Sequence, residues 1–262
     1  MIKNMRLVVV IPTHNEEIVI ADNVRKLAEW LESNLAGADW RIVIADNGST
    51  DGTLEICREL AATDPRVGFW HTDVSGRGSA LRQAWSEAKE ADILAYMDAD
   101  LSVGLEAVGP LVSNIRGGAD LAVGSRFAPG ARVDRSILRE ISSRVYAALA
   151  KNLLRIKIND LQCGFKAIRC DAFRKLYPYL SHPGWFFDTE LIVLAECAGM
   201  KITEIPVDWV EHRDRRRKSS VKMMSTVADY LGDIWAYRRR LPRIRARLQA
   251  EMKPEDQAPQ DQ

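Results

Sequence analysis

Short apolar runs alternate with longer amphipathic stretches through the first half of the chain. Leu7-Val8-Val9-Val10-Ile11, Trp40 to Ala45, Val67 to His71, Ile93-Leu94-Ala95-Tyr96-Met97 and Leu121-Ala122-Val123-Gly124 are all brief and nearly free of charge. Runs of this kind predict strands of a parallel sheet, buried on both faces. The first is expected to be a central strand. Between them, helical spacing predicts helices from about Ile18 to Leu35, from the Thr53 region to about Ala62, after Gly76, and from Leu105 to Arg116. Regular alternation of strand and helix predicts an α/β fold with a Rossmann-like, mostly parallel central sheet and right-handed crossovers.

The pattern changes after Arg135. Leu138, Ile141, Val145, Leu149 and Leu153 fall at helical spacing and predict a long amphipathic helix from Arg135 to Leu154. Asp160 to Lys166 reads as a strand, followed by a short helix through Phe173. A helix begins within Trp185 to Leu191, and Lys201 to Trp209 reads as a further strand. Glu211 to Lys218 is a basic loop, and Val221 to Tyr237 a helix. Pro254 to Gln262 is polar and is expected to be disordered. The domain expectation is a catalytic unit over 1–218, an amphipathic basic helical region over 219–248, and a tail over 249–262.

Candidate chemistry collects just past the predicted strand ends, where open α/β sheets bind ligands. Asp98-Ala99-Asp100 follows the fourth run. Two carboxylates so placed can hold a hard divalent cation, and the cation a diphosphate. A turn with a helix cap explains the same letters. Thr13-His14-Asn15-Glu16-Glu17 follows the first run, where Thr13 or Asn15 can equally be a cap. Asp46-Asn47-Gly48-Ser49-Thr50-Asp51-Gly52-Thr53 follows the second. This polar turn is neither a dinucleotide fingerprint nor a P-loop. Ser75-Gly76-Arg77-Gly78-Ser79 opens a helix, and glycines beside an arginine there suit an anion.

A net charge of +1 provides no global field for nucleic acid. Cys57, Cys163, Cys170 and Cys197 lack metal-ligand spacing and are expected to be reduced thiols of a cytoplasmic protein. No signal-peptide pattern opens the chain. No apolar stretch nears the roughly 20 residues that span a bilayer, so membrane contact is expected to be peripheral, on a cytoplasmic face.

Taken together, Ile11-Pro12-Thr13-His14-Asn15-Glu16, the Asp46 to Thr53 turn, Gly76-Arg77-Gly78-Ser79-Ala80, Asp98-Ala99-Asp100 and Gly124-Ser125-Arg126 resemble family 2 glycosyltransferases of the GT-A fold. Among these the chain looks most like the polyprenyl-phosphate sugar synthases. Gln162-Cys163-Gly164-Phe165-Lys166 and Phe187-Asp188-Thr189-Glu190-Leu191 are most similar to dolichyl-phosphate glucose synthases.

The resemblance implies a nucleotide sugar as donor, UDP-glucose before GDP-mannose, and a lipid phosphate as acceptor; a soluble acceptor is the alternative. It implies Mg2+ or Mn2+ held by Asp98 and Asp100. It places Pro12, Glu16 and Asp46 around base and ribose, with Thr13, Asn15, Asn47, Gly48, Ser49, Arg77, Gly78, Asp98 and Ala99 also at the nucleotide sugar. Arg126 would face phosphates, and Asp160 and Asp188 would orient sugar hydroxyls, completing the catalytic set with Asp98 and Asp100. Two departures stand out: Asn47 where the family often has Asp, and Arg77 where it often has Lys.

A lipid phosphate is already anionic, so its attack on the anomeric carbon needs no general base. The leaving diphosphate needs positive charge. Direct displacement inverts the α-linked donor to a β-linked product. Arg213, Arg215, Arg216, Arg217, Lys218 and Lys222 precede a predicted apolar helical face of Met223, Met224, Val227, Tyr230, Leu231, Ile234 and Trp235; Arg238, Arg239, Arg240, Arg243, Arg245 and Arg247 follow it. That pattern suits an anionic bilayer surface, or packing on the domain or on a second subunit.

Overall fold

A computed structural model describes residues 5–211 and 223–252. In chain order its elements are β1 (Arg6–Thr13), α1 (Ile20–Asn34), β2 (Asp39–Asn47), α2 (Thr53–Thr63), β3 (Val67–Thr72), α3 (Arg77–Glu87), β4 (Ile93–Met97), α4 (Val108–Arg116), β5 (Leu121–Ser125) and β6 (Arg132–Asp134). Then come α5 (Ile137–Leu154), β7 (Phe165–Arg169), α6 (Cys170–Leu176), α7 (Phe187–Cys197), β8 (Ile202–Pro206), β9 (Asp208–Val210) and α8 (Met223–Met252). A seven-stranded sheet runs β3-β2-β1-β4-β7-β5-β8. Its pairs are parallel except that β7 is antiparallel to both β4 and β5. The result is a mostly parallel, GT-A-like sheet between two helical layers.

The unbroken apolar runs are explained by these two layers. Along β1, Val8 and Val10 enter one core with residues of α3, α6 and α7, while Leu7, Val9 and Ile11 enter the other with residues of α1 and α4. The period of two therefore fills both faces. From β1 the sheet grows one way to β2 and β3 and the other way to β4. The carboxyl ends of β1 and β4 flank the point where the order reverses, a crevice in open α/β sheets.

Three expectations for the second half change. The strand expected from Asp160 begins only at Phe165, because the Asp160 carboxylate accepts the backbone N–H groups of Gln162 and Cys163 (both 3.1 Å) and makes a turn. The strand expected over Lys201 to Trp209 is two strands. Pro206 has no N–H with which to continue the ladder, and β9 pairs instead with β6 in a separate small sheet. The C-terminal helix does not stop at Tyr237 but runs through Pro242 to Met252. Ile234, Tyr237, Leu241 and Leu248 continue its buried stripe into the core, which holds the helix together across the proline.

The long helix expected over Arg135 to Leu154 is α5, Ile137–Leu154. Its buried face carries Ala147, Ala150 and Leu154, whereas Ile137, Ile141, Val145 and Leu149 are 79%, 53%, 51% and 39% exposed. Of the predicted apolar stripe, Ile141, Val145 and Leu149 point outward, whereas Leu153 packs against the core. The basic loop at 212–218 and the tail at 254–262 lie outside the described residues, as do Arg213 to Lys218, Lys222 and the side chains of Leu138, Met223, Met224 and Val227.

Candidate active site

Three loops at the carboxyl ends of β1, β2 and β3 are stitched together by their own polar side chains. Asn47 donates from Nδ2 to the Thr13 carbonyl (2.7 Å) and accepts on Oδ1 from Gly76 N–H (3.2 Å). An aspartate could not make the first of these bonds, which accounts for asparagine here. Ser49 accepts the Asn15 N–H (2.9 Å), and Asn15 Oδ1 accepts the Thr50 N–H (2.7 Å). Glu16 N–H donates to Thr53 Oγ1 (2.8 Å). Gly48 has φ +78°, and a Cβ on it would meet the Asp73 carbonyl oxygen and Ser75 N at 3.1 Å. Only glycine fits that turn without strain.

Pro12 and Thr13 are buried, Glu16 is half-buried and Asn15 exposed, so this corner is a shaped wall. Asp46 is fully buried. One of its oxygens accepts from Ser49 Oγ; the other lies 2.6 Å from His71 Nδ1. His71 also lies 3.1 Å from Asp73 through Nε2. The hydrogen bond to Asp46 raises the His71 pKa. Sequence reading missed His71, which sits inside a strand run.

Arg77 is the hub of the other corner. Its guanidinium donates from Nη2 to Asp98 Oδ1 (2.9 Å) and from Nη1 to Asp188 Oδ2 (2.6 Å). Its Cζ lies 5.1 Å from the Tyr96 ring centroid and 4.8 Å from that of Trp185. Behind it, Asp188 is buried and takes hydrogen bonds from Tyr96 and from Lys166 Nζ (2.7 Å). Burial works against the Asp188 charge, but Lys166 and Arg77 outweigh it and lower its pKa. Gly78 allows α3 to seat here, since a Cβ would lie 2.5 Å from the His182 carbonyl oxygen and 2.7 Å from that of Gly184.

Asp98 and Asp100 are both half-buried and flank the buried Ala99. Asp100 Oδ1 accepts the Ser102 N–H (3.0 Å). Burial raises the Asp98 pKa, against the pull of Arg77 and with the push of the Asp100 charge. Gly164 leaves the space the Asp98 carboxylate occupies: a Cβ there would fall 1.9 Å from Oδ2. Among the described residues no three metal-ligating side chains cluster. Two hard-oxygen donors fit Mg2+ or Mn2+, whose remaining positions are filled by water and substrate phosphate.

Arg126 and Asp160 are brought together with each other. Arg126 donates from its backbone N–H, Nε and Nη2 to the two Asp160 oxygens at 2.8–2.9 Å, and both side chains are buried. The second-half motifs also meet. Gln162 Nε2 donates to Thr189 Oγ1 (3.1 Å), Lys166 to Asp188, and Glu190 accepts the N–H groups of Ser181 (2.9 Å) and His182 (2.8 Å). Tyr146 of α5 lies 2.6 Å from Thr189, and Tyr230 of α8 donates to Gln162 Oε1 (2.9 Å). Tyr96, Tyr146, Lys166, Trp185 and Tyr230 were not among the expected site residues: Tyr96 lies in an apolar strand run, Tyr146 and Tyr230 in amphipathic helices, Trp185 at a predicted helix start, and Lys166 at the end of a predicted strand.

Residues 8–177 match the family described as Glycosyl transferase family 2. The chain is 40% identical over 210 residues to glycosyltransferase AglD of Haloferax volcanii, covering 79% of this chain but only 34% of that protein. It is 30% identical to polyprenol monophosphomannose synthase of Mycolicibacterium smegmatis, over 92% of this chain and 90% of that one. It is 31% identical to dolichyl-phosphate beta-glucosyltransferase of Saccharomyces cerevisiae, over 78% and 67%. In fold it is similar to glucosyl-3-phosphoglycerate synthase of Mycobacterium tuberculosis in complex with UDP, with a TM-score of 0.66 at 20% identity, covering 89% of this chain and 80% of that one.

Proposed function

We propose that this chain, which belongs to glycosyl transferase family 2, moves a hexose with inversion from a nucleotide sugar to a polyprenyl phosphate. The observation that carries this is the Asp98–Arg77 contact beside Asp100 at the carboxyl end of β4. It sets carboxylates for a cation and a buried guanidinium for a diphosphate side by side. Pro12, Thr13, Asn15, Glu16, Asp46, Asn47, Gly48 and Ser49 form the wall for base and ribose. Asp98 and Asp100 would hold Mg2+ or Mn2+, which supplies charge neutralisation for the departing diphosphate. Arg77 and Gly78 bring the α3 terminus to the same place. Arg126 holds Asp160, and so shapes the 160–164 turn that passes under Asp98.

Curated relatives include both glucosyl and mannosyl enzymes by name, so the donor rests on the two second-half motifs. Calorimetry with divalent cation should give tighter binding of UDP-glucose than of GDP-mannose. A clear preference for GDP-mannose makes the protein a mannosyltransferase instead. Release of UDP should require a polyprenyl phosphate; release that depends only on a soluble acceptor overturns the lipid reading.

The acceptor must be met at a membrane, and no described helix is long and apolar enough to cross one. The outward stripe of α5 supports peripheral docking. On α8, Leu231 and Trp235 are 40% and 56% exposed, followed by exposed Arg238, Arg239 and Arg240. The helices meet through Tyr146 and Tyr230, whose ring centroids are 4.9 Å apart. Ile234, expected on the lipid face, is spent on the core. Exposed apolar side chains with arginines alongside suit an anionic bilayer. Ile141→Glu with Val145→Glu should reduce sedimentation with anionic vesicles and activity on long-chain acceptor, and spare a short soluble acceptor. Unchanged sedimentation, with dissociation of a dimer in sedimentation velocity, would assign the stripe to a second copy.

A further inference from the structure

Lys166 is the feature that the proposed reaction leaves unused. It sits in β7 with no exposed surface, among the largest fully buried side chains of the protein. Its ammonium donates to the Cys163 carbonyl (2.6 Å), to Tyr96 Oη (3.1 Å) and to Asp188 Oδ1 (2.7 Å), so all three of its protons have acceptors. A buried ammonium is costly unless so paired. Its partner Asp188 is buried as well and passes the interaction on to Arg77. The charges then alternate along one line: Lys166, Asp188, Arg77, Asp98.

The two carboxylates that Arg77 holds differ. Asp188 is closed off behind Arg77, whereas Asp98 is half-buried at the mouth of the site. The Arg77 guanidinium holds one carboxylate with each terminal nitrogen, Nη1 to the rear and Nη2 to the front. We infer that Lys166, Tyr96 and Asp188 are positioning residues that anchor Arg77 by its rear nitrogen, so that its front nitrogen exchanges Asp98 for a diphosphate oxygen of the donor. The inference rests on the nucleotide-sugar reading above. The planar fork of arginine suits this exchange, because one nitrogen can stay bonded while the other changes partner. A lysine at 77 would bring all its donors to a single nitrogen, so it could not hold a rear and a front partner at two separate points as the guanidinium does. Once Nη2 has left Asp98, Lys166, Asp188 and Arg77 together carry one net positive charge, aimed at the incoming anion.

The test separates placement from charge. Lys166→Met combined with Asp188→Leu removes one charge of each sign, so the local net charge is unchanged and Arg77 keeps only its front partner. UDP and uridine binding are measured by calorimetry in chelator, where no cation contributes. Loss of an anchored charge-assisted hydrogen bond predicts UDP affinity about tenfold weaker. Uridine affinity should stay at the wild-type value, because the base wall is untouched. Adding Arg77→Met to the double variant should then cost little more, since the residue has already lost its placement. Equal UDP affinity in wild type and double variant overturns the inference, as does an equal loss for uridine. If the double variant does not fold, Tyr96→Phe is used: it removes one hydrogen bond to Asp188 with no change of charge, and should weaken UDP several-fold while sparing uridine; unchanged UDP affinity there overturns the inference too. Wild-type protein that binds neither UDP nor GDP, with or without cation, refutes instead the proposed function on which this rests.

Discussion

Asp100→Ala is expected to lose at least about a hundredfold in sugar transfer, the scale seen when one stabiliser of developing charge is removed. Its unfolding free energy should fall by no more than about 1–2 kcal/mol, the usual scale for removing a partly exposed polar side chain that is hydrogen-bonded, as Asp100 is to Ser102 N–H. The disparity is informative. Asp100 is half-buried just past a strand end and is not one of the apolar side chains that build either core. The measurements are initial rates with varied Mg2+ and Mn2+, and urea unfolding. A variant that turns over at the wild-type rate, or wild-type turnover unaffected by chelator, removes the cation from the account.

Much of this site is legible in the sequence for one physical reason. A parallel strand buried on both faces must be apolar to its end, so the first polar residues after it lie at the sheet's carboxyl edge. Asp98, Asp46 and Thr13 are found that way. The long-range pairings behind that edge are less legible. Arg77 meets Asp188 across 111 positions, and no local pattern encodes such a pairing. Lys166 is harder still: a lysine in a short strand reads as solvated, and only the antiparallel insertion of β7 between β4 and β5 buries it. The α5 stripe shows the limit of periodicity. Spacing of 3.6 identifies a helix and an apolar face, but the direction of that face is decided by what packs against it. Here Ala147 and Ala150 turn inward, and Ile141 and Val145 are left outside. Asn47 is the converse case, a departure from the family's habit that becomes intelligible once the Thr13 carbonyl and Gly76 N–H are seen on either side of it.

Arg126→Met is expected to have the largest effect on stability, about 3–5 kcal/mol at neutral pH. Against a typical total of about 5–15 kcal/mol, this is a substantial share. The loss arises from the partner left behind. Asp160 is 1% exposed, and in the wild type its two oxygens receive Arg126 together with the N–H groups of Gln162 and Cys163. Burial pushes its pKa up; the Arg126 charge and hydrogen bonds outweigh burial and bring it down to about 2. A carboxylate with a depressed folded pKa stabilises the fold above its unfolded pKa, near 3.8. That contribution, on the order of 2 kcal/mol, is lost as pH falls from about 4 towards 2. In Arg126→Met the sign reverses. Burial then dominates, the folded pKa rises above the unfolded one, and the variant gains stability as acid protonates Asp160. The gap between the two proteins should therefore be widest at pH 7, smaller at pH 5 and smallest at pH 3. Urea unfolding at the three pH values measures it directly. A gap that stays constant with pH would mean that the methionine acts through packing alone, and that the Arg126–Asp160 pair does not set the charge state of the turn beneath Asp98.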